Sequence, residues 1–286
     1  MSNSLPQVTF IVMCYNQEQY IREALEGAFS QTYQPLDILI SDDCSRDRTF
    51  EIVQEMVSKY SGPHKVVCSK NETNIGIAAH LNKVNKAAKG ELIVVAAGDD
   101  ISLSHRTGQI VDEYMASNKE SNYFYSSARE MSMTGELKDI VVSPGADCAS
   151  SKLRTALSPY PLAIGATQAW SRKLNDSFLR IHPDVWAEDQ ILGFRGMLLG
   201  KISFIDEALV FYRMGSGIST RKKKFSIKKY FIEKQSGIGI YHQRWRDSLH
   251  VGSYLLAVAL ALKITLLTVS IPVSPLISAV RKLIKR

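Results

Sequence analysis

Three of the carboxylate pairs in this chain fall where one predicted element gives way to the next: Asp42-Asp43, Asp99-Asp100 and Glu188-Asp189. The middle pair is the most telling. It closes VVAAG, a run of small and apolar residues that reads as a buried strand. Buried charge is costly unless something pairs with it. Mg²⁺ and Mn²⁺ take oxygen ligands, usually one or two carboxylates together with substrate phosphates. Asp99 and Asp100 therefore suit a divalent cation that in turn holds a diphosphate. Asp is also favoured at helix starts, so the local sequence leaves a simple cap open as the alternative.

The elements that must position these acids alternate. VTFIVMCYN is β-rich, and in the segment after it Ile21, Leu25, Ala28 and Phe29 share a helical face. LDILISDD is a second strand, followed by a helical stripe of Phe50, Val53, Met56, Val57 and Tyr60. KVVCS, a helix over 78–88 and ELIVVAAGDD complete βαβαβαβ, the signature of a parallel sheet with helices on its faces. In such sheets ligands bind beyond the carboxyl ends of the strands. The polar residues collect there: Tyr15-Asn16, Asp42-Asp43-Cys44-Ser45, Asn71 to Gly76, and Asp99-Asp100.

Past Ser102 the pattern loosens. A helix over 105–116, a strand in NYFYSSA, a turn at Gly135 and a strand in IVVSP are expected. PLAIGATQAWSR reads as a further strand, and KISFIDEALVFYR closes the region. AEDQILGFRGMLLG reads as a helix with Glu188 and Asp189 in its first turn, where the helix dipole favours negative charge. Cys14, Cys44, Cys68 and Cys148 have no metal-ligand spacing and fit a reduced, cytosolic chain.

Read together, these segments resemble the family 2 glycosyltransferases over about residues 6–215. Tyr15-Asn16, Gln31-Thr32, Asp42-Asp43 before Ser45 and Asp47, Asn74-x-Gly76, Asn82, Gly90-Glu91 and Asp99-Asp100 all fall in family order. The resemblance implies a GT-A-like α/β fold, a mixed nucleotide-binding sheet flanked by helices. It divides residues 1–220 into a nucleotide-binding half, 1–102, and an acceptor half, 103–220. It implies that Asp43 accepts the imide N–H of uracil or thymine, with Tyr15, Asn16, Asp42, Ser45, Asn74 and Gly76 around the donor. Asp99 would meet the donor ribose, and Asp99 or Asp100 an Mg²⁺ or Mn²⁺ ion. WAEDQIL resembles the family's Glu-Asp pair, making Asp189 the general base of an inverting transfer and Glu188 its orienting partner. Trp186 would stack on an acceptor sugar or else be a buried aromatic. Turn chemistry remains the bland reading of the Asp43 loop, and helix-dipole stabilisation that of Glu188-Asp189.

Two positions depart from the family pattern. Ala97 stands where many members have an acid, and YRMGSGIS lacks a histidine often found there, leaving Arg213, with Ser216 and Ser219, to supply contacts to the diphosphate. The donor expected is a UDP- or dTDP-sugar, and the acceptor a lipid-linked or glycan hydroxyl in surface-polysaccharide synthesis. A sugar-nucleotide nucleotidyltransferase would begin with a Gly-rich loop, which VMCYNQEQ lacks. A non-catalytic scaffold derived from a transferase is the other alternative.

The C-terminal stretch differs in kind. Residues 221–286 hold fourteen Lys/Arg against two Asp/Glu, whereas the preceding 220 carry a slight acidic excess. RKKKFSIKKYFIEK interleaves basic and aromatic residues, and Tyr254 to Ile271 is apolar apart from Lys263 and hydroxyls. A helical basic and apolar tail lying on an anionic membrane surface suits this pattern, as a peripheral attachment at the inner face of the cell membrane. A packed C-terminal helix, a contact between copies of the chain and a short membrane span are the alternatives. Nothing else in the sequence resembles a nucleic-acid recognition module.

Overall fold

A computed structural model describes residues 4–141, 151–215 and 227–270. Cys148, Ser216, Ser219 and the basic stretches 221–226 and 271–286 lie outside the described residues. The first half follows the expected alternation: β1 (Val8–Cys14), α1 (Ile21–Phe29), β2 (Leu36–Asp42), α2 (Thr49–Lys59), β3 (Lys65–Lys70), α3 (Ile77–Ala87) and β4 (Leu92–Ala97). There follow β5 (Ile101–Ser102), α4 (Arg106–Ala116), β6 (Tyr123–Met131), β7 (Leu137–Val141) and α5 (Lys152–Leu157). The remainder is β8 (Ala169–Ser171), α6 (Arg172–Asp176), α7 (Asp189–Leu199), β9 (Ile202–Arg213), α8 (Ile227–His250) and α9 (Tyr254–Ser270).

The strands form one mixed sheet in the order β3-β2-β1-β4-β8-β6-β9-β5, with β7 beside β6. β3, β2, β1 and β4 are parallel neighbours, and β8 runs antiparallel to both β4 and β6. β1 is buried along its whole length, as a central parallel strand must be when helices cover both faces. Its side chains alternate between two cores. Phe10 and Val12 pack with Leu25, Val53 and Ile110, while Ile11 and Met13 pack with Leu81, Trp170 and Ile191.

Two expectations change. Asp99 and Asp100 do not cap a helix: they lead into β5, and α4 begins only at Arg106 behind the N-cap His105. PLAIGATQAWSR is strand only over β8. Before it, a 3-10 turn at Gly165–Thr167 is closed by the Thr167 N–H and Oγ1, both donating to Ile164 O at 2.9 Å. A local hydroxyl bond to the backbone competes there with the sheet ladder.

α7 approaches β6 through glycine. A Cβ on Gly196 would stand 2.4 Å from Tyr123 Cβ, and one on Gly193 2.8 Å from Leu162 Cβ. The other faces of α7 are covered by α5, α8 and α9, which share a third core of Ala156, Phe194, Met197, Tyr241, Leu256 and Leu260. Within that packing, Arg195 on α7 makes a buried two-pronged ion pair with Asp247 on α8, at 2.7 and 3.0 Å. Gln243 donates to the same carboxylate at 2.9 Å. Among the described residues no helix is long and apolar enough to cross a membrane.

Asp247→Ala strands the Arg195 guanidinium in a dry layer. Urea unfolding is expected to show a loss of about 3–5 kcal/mol, the usual cost of breaking one side of a buried pair. A loss near that of an exposed ion pair would show that α8 does not hold α7 in this way.

Candidate functional site

Parallel register brings two of the acid pairs to one rim. Cys14 is level with Asp42 across β1–β2, and Met13 with Ala97 across β1–β4. Beyond those ends the Asp43 N–H donates to Cys14 O and the Gly98 N–H to Met13 O, both at 2.9 Å. The third pair reaches the same rim by way of β8. Ala169 opposes Val94, and the Val95 N–H donates to Gln168 O at 3.3 Å, so the 3-10 turn runs on past the end of β4. A Cβ on Gly165, in that turn, would lie 3.7 Å from Asp189 Cβ and Oδ2.

Asp43 is held firmly. Its Oδ1 accepts from Asn71 Nδ2 at 2.7 Å and the Ile75 N–H at 3.0 Å, and its Oδ2 accepts from the Gly76 N–H at 3.0 Å. Asn74 Nδ2 donates to Asp43 O at 3.1 Å. A carboxylate offers about four acceptor positions, so about one remains, on Oδ2, for an incoming donor. Gly76 has φ +80°, a conformation disfavoured for residues with a Cβ, which explains the glycine in N-x-G. Asp42 is fully buried and serves the turn, accepting from Ser45 N–H and Oγ. Ser45 Oγ in turn accepts the Asn16 N–H at 2.8 Å, while Asn16 Oδ1 accepts the Arg46 N–H at 2.8 Å. The loops after β1 and β2 are thereby interlocked. Asn16 and Cys44 both sit at positive φ, a strained backbone of the sort that clusters at functional sites. Tyr15, at the same loop, is exposed.

The protein itself answers the charge of Asp99-Asp100. Asp100 Oδ1 accepts the Arg213 N–H at 2.7 Å, and burial beside Asp99 pushes its carboxyl well above the ordinary range. Arg106, fully buried nearby, is driven down to about 9 by desolvation against the pull of Asp100. Arg213 is 2% exposed. Its guanidinium donates to Asp99 O, Ser132 O and Met133 O, pairs with Glu23 at 2.6 Å and stacks over Tyr20. It clasps the turn from within instead of standing open on the crevice. No group of three or more His, Cys, Asp or Glu among the described residues is placed to hold a metal. With Asp100 engaged by backbone, Asp99 and Asp100 do not form a cation site unaided, and further oxygen ligands would have to come from the donor.

Glu188 is the N-cap of α7 and Asp189 its first residue. Asp189 Oδ1 accepts the Gln190 N–H at 2.7 Å. Desolvation raises Asp189 to about 6, against the pull of that N–H and of Arg244. Burial and the Asp189 charge raise Glu188 to about 8. Near neutral pH the pair therefore shares one proton and one negative charge. That is the state a general base requires. Trp186, two residues before, is 51% exposed, which removes the buried-aromatic alternative. Glu23, Gly165 and Arg244 joined the site only through the fold, whereas Asn71, at the head of NETNIG, was among the polar residues expected at the strand ends.

Residues 9–133 match the profile of Glycosyl transferase family 2. A curated relative, the UDP-Glc:alpha-D-GlcNAc-diphosphoundecaprenol beta-1,3-glucosyltransferase WfaP of Escherichia coli, is 26% identical over 243 residues, 82% of this chain and 89% of its own. An uncharacterized protein of Mycobacterium tuberculosis is 38% identical over 94 residues, 32% of this chain, and the match spans only 27% of that relative's length. Among solved structures, S. aureus TarS in complex with UDP-GlcNAc superposes with a TM-score of 0.63 at 19% identity, over 87% of this chain and 71% of its own. The mannosyltransferase PcManGT of Pyrobaculum calidifontis, in complex with GDP-Man and Mn²⁺, gives 0.58 at 17%, over 99% and 82%. These likenesses establish the fold, a GT-A-like mixed sheet flanked by helices.

A carboxyl whose folded value is raised stabilises the fold while protonated and withdraws that support as pH climbs from its unfolded value towards the folded one. Glu188→Gln is expected to raise the melting temperature at pH 8.5, above the folded value of about 8, and to give no gain near pH 4. Equal effects at both pH values in differential scanning calorimetry would contradict the assignment.

Proposed function

We propose that this chain is an inverting glycosyltransferase that moves a sugar from a UDP- or dTDP-sugar to a hydroxyl of a lipid-linked or glycan acceptor. The observation that carries the reading is the pairing, on one rim, of a fixed acceptor carboxylate, Asp43, with an ionised carboxylate at a helix start, Asp189. The imide N–H of a pyrimidine donates to the open position on Asp43 Oδ2, while the Tyr15–Asn16 loop and Gly76 bound the nucleotide. The donor ribose and diphosphate then lie toward Asp99. At the other side Asp189 takes the proton of the acceptor hydroxyl as its oxygen attacks the anomeric carbon. The bond from that carbon to the diphosphate oxygen breaks, the nucleoside diphosphate leaves, and configuration inverts. Protonated Glu188 keeps a second negative charge away from the attacking oxygen. Trp186 offers an apolar face to the acceptor ring.

A divalent cation brought with the donor would supply positive charge to the departing diphosphate, with Asp99 as its contact on this chain. The Mn²⁺ named with the Pyrobaculum calidifontis enzyme supports this cofactor. The undecaprenyl-diphosphate acceptor in the printed name of WfaP supports a lipid-linked acceptor. α9 supports attachment to the inner membrane face. Leu255, Val258, Leu262, Leu266 and Val269 recur along one side of it and are all exposed, Leu255 to 89%. Arg281, Lys282, Lys285 and Arg286 follow in the sequence and suit anionic headgroups.

In calorimetric titration with UDP- and dTDP-sugars and Mn²⁺, Asp43→Ala is expected to weaken donor binding about 10- to 100-fold, the worth of one hydrogen bond to a charged group. Asp189→Asn is expected to retain donor binding while turnover falls about 10²- to 10⁴-fold. No turnover in the native protein with any donor and acceptor would favour the non-catalytic scaffold. Sedimentation with phosphatidylglycerol vesicles tests the membrane face. Leu255→Ser with Leu262→Ser is expected to release the protein without lowering its melting temperature, and unchanged co-sedimentation would remove α9 from the attachment.

A further inference from the structure

Arg244, on α8, is fully buried, yet it forms no ion pair within 4 Å among the described residues. Its Nη1 donates to three carbonyls at the end of α5: Thr155 O at 3.3 Å, Ala156 O at 3.0 Å and Ser158 O at 2.7 Å. Its Nη2 donates to Gln190 O at 3.3 Å and Oε1 at 3.2 Å, in the first turn of α7. The rings of Phe194 and Tyr241 flank it, each 5.6 Å away. Arg195, one and a half turns further along α7, has its charge cancelled directly by Asp247. Hydrogen bonds occupy Nη1 and Nη2 of Arg244, while its buried Nε has no hydrogen-bond partner among the described residues; none of this neutralises the guanidinium, and a buried net charge is costly. The carboxylate that acts on it is that of Asp189, the neighbour of the residue it grips.

We propose that Arg244 is the positioning residue of Asp189: its guanidinium ties the first turn of α7 to the end of α5 and sets the positive charge that the Asp189 carboxylate feels. This rests on the reading of Asp189 as general base. A planar fork with five N–H donors can hold two carbonyl clusters at once, whereas a lysine ammonium supplies the charge without that geometry. The groups facing Asp189 are Glu188 on its own element, Tyr123 from β6 and Arg244 from α8. Arg244 alone among them brings positive charge.

The test is a ¹³C NMR titration of protein labelled at aspartate Cγ, with the Asp189 signal assigned by its loss in Asp189→Asn. Arg244→Gln is expected to move the Asp189 midpoint upward by about one pH unit or more, a tenfold or greater change in proton affinity. Arg244→Lys is expected to keep the midpoint near that of the native protein. Tyr241→Phe removes a bond from the same helix to Leu157 O and serves as the structural control, expected to leave the midpoint in place. A native midpoint in folded Arg244→Gln overturns the proposal. Should that variant fail to fold, a folded Arg244→Lys whose midpoint moves upward by a unit or more, although the positive charge is kept, while Tyr241→Phe stays at the native value, overturns it equally. The titration does not depend on turnover. If Asp189 is not the base, Asp189→Asn stays active while the Arg244 shift persists, and the two failures are told apart.

Discussion

Asp42, Asp43 and Asp100, at the rim of the parallel sheet, are each held by N–H groups of other residues, and the rest of the structure depends on that supply. A carboxylate taken out of water must be given donors or surrender its charge. Asp42 receives them from Ser45, Asp43 from Asn71, Ile75 and Gly76, and Asp100 from the backbone of Arg213. Glu188 receives less and is pushed up to about 8. The difference in donor supply divides the acids by task. Those saturated with N–H groups shape loops or present one fixed acceptor position, and the sparsely supplied pair on α7 is free to exchange a proton.

The sheet supplies these donors because of its direction. Parallel strands end together, so the loops after β1, β2 and β4 meet and can exchange hydrogen bonds. The reversed strand β8 then delivers a turn to the same end from the other half of the chain. If β8 ran parallel to β4, the turn that precedes it and lies against Asp189 would open at the opposite edge of the sheet. The mixed sheet thus brings a turn from the second half of the chain to the end where the loops after β1, β2 and β4 meet.

What could be read from the sequence follows the same logic. β1, β2 and β4 are buried runs bounded by polar turns, and the helices between them repeat apolar residues at helical spacing, so their places were legible before any coordinates. The Asp43 loop was legible because its donors lie within a few dozen residues. β5 was not, because two residues carry no period, and β8 was expected as a longer strand than the three residues whose partners meet them. Arg213 looked like a ligand contact because an arginine after a strand gives no hint that Glu23, nearly two hundred residues earlier, will cover it. The basic composition after residue 221 suggested a tail on an anionic membrane surface and gave no sign that Arg244 would be buried among carbonyls and rings. The one local clue was Asp247, a rare acid in a basic stretch and the counter-charge of Arg195.

The placement of those α8 residues also bears on how the molecule comes into being. The hydrogen bonds around Asp43 join residues 14 to 83 and can close as soon as that stretch has left the ribosome. Arg244 and Asp247 emerge more than fifty residues after Asp189, so the bonds they give to α7 cannot form until α8 has been made. During synthesis, a nascent chain can close the Asp43 loop early and brace the start of α7 only after α8 has emerged; on the proposed function, sugar transfer would wait for that later step.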